Sequence, residues 1–183
     1  MRLFAGLDLP YEMRRNLELL LHLLKPLARI SWSPVANLHL TTKFIGDFGE
    51  ERLEKLKSAL GGVPRPGALR IAIRGLGWIP GPDRPRIFYA GIEAPPGLAA
   101  LARDTESACA ALGIPREEKP FRPHLTLARI RHPEPLSALQ AEIARLPSVD
   151  FGAFQAESFH LYRSQLDPRG SIYTKLASFP LSV

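Results

Sequence analysis

The chain has almost no sulfur, and no run of apolar residues long enough to span a bilayer. Its single cysteine, Cys109, excludes an internal disulfide and any zinc site built from several thiolates. A cytoplasmic protein is therefore expected. Cys109 falls in an alanine-rich helical stretch, where a lone thiol reads as a small buried residue and not as a nucleophile. The most apolar run, Leu17–Leu24, contains Glu18 and His22 and then meets Lys25-Pro26. It is far short of the roughly 20 apolar residues that a membrane helix needs. No signal peptide is visible at the start, because Met1–Leu9 is too short and Asp8 interrupts it. Short-period repeats and low-complexity tails are also missing.

What is present suits one soluble unit. At 183 residues, with 45% hydrophobic content, the chain reads as a single domain spanning 1–183 or two closely joined lobes. The net charge of +6 leans toward a nucleic-acid partner without establishing one. The 18 prolines and 24 Lys+Arg fit a thermophile and a GC-rich genome equally.

Periodicity predicts a mixed order of strands and helices. Arg2–Leu9 reads as a strand, and Met13, Leu17, Leu20, Leu21 and Leu24 form a helical stripe after Pro10. A short strand at Ile30–Trp32 is followed by a strand over Leu38–Phe48, a helix to Leu60 stopped by Gly61-Gly62, and strands over Leu69–Leu76 and Arg86–Glu93. A helix over Leu98–Leu112, a strand over Phe121–Arg131, a helix over Leu136–Leu146, one long strand over Asp150–Arg163 and a last strand over Ile172–Phe179 complete the chain. The two halves echo each other.

Within that echo one tripeptide occurs twice. His39-Leu40-Thr41 and His124-Leu125-Thr126 lie 85 positions apart (39 and 124), and each is on a predicted strand. Only 5 histidines are present, and the chance of two sharing both following residues is about a few in ten thousand at ordinary frequencies. On a strand, residues i and i+2 project together, so each histidine shares a face with a threonine. An imidazole near neutrality gives or takes a proton, and a hydroxyl beside it holds an oxygen. Two such pairs facing each other supply an acid, a base and two hydroxyl donors around one phosphorus atom, which suits phosphodiester hydrolysis.

The chain resembles the 2H phosphoesterases, which carry two His-x-Thr/Ser motifs, and within them the bacterial and archaeal RNA 2′,3′-cyclic phosphodiesterases, also called 2′-5′ RNA ligases. The resemblance rests on Arg2–Phe4, Asn37–Thr41, Arg84–Gly91, Phe121–Arg129, Leu161–Leu166 and Phe179–Leu181. It departs from the family pattern at Thr42-Lys43, where Leu-x is common, and at Tyr89, where Trp is common. The resemblance implies an α+β, bilobal fold: two pseudo-symmetric lobes with antiparallel sheets flank a cleft, the helices lie outside, and one motif comes from each lobe. It implies opening of a ribose cyclic phosphate to a 2′-phosphate, reversible toward 2′-5′ ligation, with RNA ends as partners (tRNA fragments among them). No membrane association, a monomeric state, and no metal or cofactor are expected.

His39 and His124 are the expected catalytic pair, one as acid and one as base; for hydrolysis His124 is taken as base and His39 as acid, roles that swap in the ligase direction and that the sequence itself leaves open. The expected phosphate-binding residues are Thr41 and Thr126, with Arg129, Arg122 and Lys43 as cationic candidates. Strict alternation puts Arg129 on the face opposite His124 unless a bulge intervenes. Lys43 shares the face of His39, and Arg122 that of His124. Phe88 or Tyr89 is expected to stack on a base, with Phe44, Tyr162 and Tyr173 as weaker candidates. Alternative readings are a non-catalytic RNA-binding module, an enzyme acting on a cyclic nucleotide-sugar phosphate, and a metal site at His39, His124 and His160. The last is disfavoured because hydroxyls stand where carboxylates or thiolates would be needed.

Overall fold

The computed structural model describes every residue except Arg169. In chain order the elements are β1 (Arg2–Asp8), α1 (Tyr11–Leu24), β2 (Ser31–Trp32), β3 (His39–Asp47), α2 (Leu53–Gly61), β4 (Leu69–Ile79), β5 (Ile87–Glu93), α3 (Pro96–Ala111), β6 (His124–Arg129), α4 (Ser137–Arg145), β7 (Asp150–Ala156), β8 (Ser158–Asp167) and β9 (Gly170–Pro180). The fold is α+β, as the sequence leads one to expect. The apolar stripe of α1 buries Met13, Leu17, Leu20, Leu21 and Leu24, while His22 on its other side is exposed.

Two antiparallel sheets hold the strands, in the orders β3-β1-β8-β9 and β2-β6-β5-β4-β7. Each sheet mixes strands from both halves of the chain. The run β1-α1-β3-α2-β4 is echoed by β5-α3-β6-α4-β8, with β7 added before β8. In each run the final strand crosses over, so that β4 lies beside β5 and β8 beside β1. That crossing overturns the expected single strand over Asp150–Arg163. It divides at Glu157, with β7 on the edge of one sheet and β8 inside the other. One exposed residue makes the break, and its carbonyl accepts from Leu181 N–H at 2.8 Å. Neither proline nor glycine marks the place, so propensity alone does not reveal it.

One crossing brings the two motif strands together. β2 pairs with β6 at the end of one sheet, and a single 3-10 turn over Val35–Asn37 carries the chain to β3 at the end of the other. Ser33 fastens the crossing: its N–H donates to Leu127 O (2.8 Å) and its hydroxyl to Thr126 O (2.9 Å). β3 and β6 are thereby packed beside each other at the join of the sheets.

Candidate active site

Each motif strand carries a bulge just after its threonine. In β3, Gly6 pairs with Thr41 and Ala5 with Lys43, so Thr42 is the extra residue. In β6, Tyr89 pairs with Thr126 and Phe88 with Ala128, so Leu127 is extra. A bulge resets the alternation of the strand. Both strands accordingly show the same pattern, in which two consecutive buried residues follow the threonine and an exposed one comes next. The exposed residue is Phe44 in β3 and Arg129 in β6. Arg129 therefore returns to the side of His124, the case in which a bulge defeats strict alternation. His39, Thr41, Phe44, His124, Thr126 and Arg129 all line one cleft of about 980 Å³.

The two imidazoles are held in the same way. Nδ1–H of His39 donates to Asn37 O at 2.7 Å, and Nδ1–H of His124 donates to Arg122 O at 2.7 Å. A carbonyl only accepts, so the neutral tautomer has its proton on Nδ1 and its lone pair on Nε2. Among the described residues neither Nε2 has a hydrogen-bond partner, so in each ring it is left for chemistry.

Their surroundings differ. The His39 ring stacks on Phe4 with centroids 4.5 Å apart, and Tyr173 meets it edge-on at 5.1 Å. Burial holds His39 below the ordinary histidine range; the Asn37 carbonyl and the Asp8 carboxylate oppose that shift, and the charges of Arg129 and Arg14 add to it. His124 has a Tyr89 edge at 5.7 Å, and its bond to Arg122 is open to solvent. Tyr89 lies against Gly77, where an added Cβ would come within 2.5 Å of the phenol ring. Glycine there makes room for the ring beside His124.

The other expected residues divide between the cleft and the core. Phe88 is fully buried, tilted on Trp78 at 4.6 Å and edge-on to Trp32 at 6.0 Å, so it is core and not a base platform. Lys43 is turned inward by the bulge at Thr42, although it still forms part of the cleft wall. Its ammonium is buried and donates to Glu106 Oε1 (2.9 Å) and Pro115 O (2.8 Å), which commits it to α3 and the loop beyond. Tyr162 is buried with its hydroxyl on Asp8. Arg122 precedes β6 and faces the cleft, exposed, while its carbonyl holds His124. Tyr173 reaches the cleft through His39. His160 is buried on β8 with Nδ1 on Ser178 Oγ (2.9 Å) and is absent from the cleft lining. Among the described residues no three His, Cys, Asp or Glu side chains converge as metal ligands would. Sequence reasoning passed over Phe4, Ser33 and Arg131, and gave Asn37 no role. The position of Asn37, two residues before a motif histidine, was the available signal.

The internal echo is also visible to a family comparison. A sequence profile described as LigT-like phosphoesterase matches residues 7–89 and again 92–173, so that each match contains one of the two histidines. The chain belongs to this family. A relative from Methanothermobacter thermautotrophicus, named RNA 2′,3′-cyclic phosphodiesterase, is 32% identical over 182 residues, covering 98% of each chain. A Thermus thermophilus relative of the same name is 36% identical over 193 residues, covering 99% of this chain and 90% of its own. A crystal structure from Thermus thermophilus superposes with a TM-score of 0.81 at 35% identity, covering 99% of this chain and 98% of the other. Escherichia coli LigT complexed with 3′-AMP superposes at 0.76 with 25% identity, covering 100% and 98%. Among the described residues no helix is long and apolar enough to cross a membrane.

Proposed function

We propose that this LigT-like phosphoesterase is an RNA 2′,3′-cyclic phosphodiesterase. It opens a terminal cyclic phosphate to a 2′-phosphate and runs in reverse as a 2′-5′ ligase. The observation that carries the reading is the pair of imidazoles in one cleft, each with Nδ1 tied to a carbonyl and Nε2 left free. The names of the relatives supply the substrate class.

In the hydrolysis, a water oxygen bonds to phosphorus as the bond to O3′ breaks. His124, on the solvent side, takes the water proton on Nε2. His39 gives a proton from Nε2 to O3′. A low pKa makes His39 a strong donor once charged, and the phosphodiester anion favours the charged form. Thr41, Thr126 and Arg129 hold the non-bridging oxygens where charge accumulates. Phe44 and Tyr89 flank the nucleoside, one from each sheet.

The test of the reading is product analysis on RNA ending in a 2′,3′-cyclic phosphate, where a 2′-phosphate is expected; a 3′-phosphate or unchanged RNA contradicts it. The roles are tested with a bridging 3′-sulfur, a leaving group that needs no proton. It should rescue His39→Ala and leave His124→Ala inactive. Rescue of His124→Ala alone reverses the assignment.

A further inference from the structure

Beside His39 lies a second pocket, sharing part of its wall with the cleft, that the chemistry above does not use. It encloses about 250 Å³ and shares Phe4, Asn37, His39 and Tyr173 with the main cleft. Its remaining walls bring in Asp8, Arg14 and Lys175, among others.

The charges do not cancel. The Asp8 carboxylate accepts from the Lys175 ammonium and the Tyr162 hydroxyl, and His160 approaches it at 3.7 Å from Nε2. Burial alone would raise Asp8, yet these donors keep it below the ordinary carboxylate range, so it stays ionised and paired with Lys175 and Tyr162. Arg14 has no acidic partner among the described residues. Nε donates to Leu9 O at 3.1 Å and Nη1 to Ala36 O at 3.4 Å. A guanidinium has five N–H donors, so three are left, and the two carbonyls hold the fork in place. A fixed guanidinium with spare donors in a polar chamber suits a phosphate oxygen pair.

We propose that this chamber is a second anion subsite, in which Arg14 binds the phosphate on the 5′ oxygen of the nucleotide whose cyclic phosphate lies between His39 and His124. This rests on the cyclic-phosphodiesterase reading and adds a substrate feature to it. The anion is a 5′-phosphomonoester or the phosphodiester to the preceding nucleotide; the chemistry at Arg14 is the same.

The experiment is calorimetry with three product-like ligands on wild type and Arg14→Gln. The ligands are adenosine 2′-phosphate, adenosine 2′,5′-bisphosphate, and the dinucleotide that carries a diester at that 5′ oxygen. Wild type should bind one or both anion-bearing ligands about ten- to a hundredfold more tightly than the first. Arg14→Gln should reduce that gain to less than about threefold. Gain with the bisphosphate alone identifies a 5′-phosphorylated end, and gain with the dinucleotide alone identifies the strand interior. No gain in wild type, or a gain that survives in Arg14→Gln, overturns the subsite. Turnover of the matching cyclic phosphates is read separately: turnover without gain sinks the subsite alone, and gain without turnover sinks the hydrolase reading alone.

Discussion

The two motif histidines share one tautomer but differ in environment, and that difference has a sign. Burial favours neutral His39, so its imidazole should titrate below the usual value of about 6.5 in the free protein. Any stability linked to it is complete above the unfolded value and is lost as pH falls through the folded one. A ¹H–¹⁵N titration reads this directly. Addition of a nucleoside 2′-phosphate should move the His39 midpoint upward, because the anion favours the charged ring; a midpoint that is unmoved or lowered removes the phosphate from His39. Phe44 is 48% exposed in the cleft, so Phe44→Ala should spare the fold. It should weaken RNA binding by about 1–3 kcal/mol, seen as a raised Kd for oligonucleotides. Phe88 predicts the opposite. It is core, and Phe88→Ala should cost about 3–5 kcal/mol of stability by denaturant melt.

At the scale of elements, the placement of the motif-strand side chains rests on two bulges, and β3 is tied to α3 by one buried ion pair. Lys43, turned inward by the bulge at Thr42, ties β3 to Glu106 on α3. Lys43→Met leaves a largely buried carboxylate without its partner and should cost about 3 kcal/mol or more, visible as a lowered denaturation midpoint. The strand assignments and the paired His-x-Thr spacing were legible in the sequence because both rest on local periodicity. The fates of Lys43 and Arg129 were not. Each depends on one extra residue in a ladder, and a bulge leaves no mark in a run of β-branched and aliphatic residues. The division at Glu157 was hidden for a similar reason: the strand changes sheets without a turn residue. Arg14 was invisible because its significance lies in donors left spare by the fold, which no local pattern records.

For the whole molecule, the crossing of β4 and β8 between sheets makes the cleft a product of both halves of the chain, and three of its cations come from β6 and the segments that flank it. Arg122, Arg129 and Arg131 line it without ion-pair partners among the described residues. Binding of an RNA oligonucleotide should therefore weaken as salt rises, with a log–log slope of about −0.7 per phosphate neutralised; a flat dependence places the strand away from these arginines. The most direct test of the two-histidine chemistry is hydrolysis of a short RNA ending in a 2′,3′-cyclic phosphate, in EDTA, by wild type, His39→Ala and His124→Ala. Wild type should open it without metal, and each variant should lose about 10²–10⁴ in rate. Opening that EDTA abolishes, or that survives either substitution, would contradict a two-histidine mechanism.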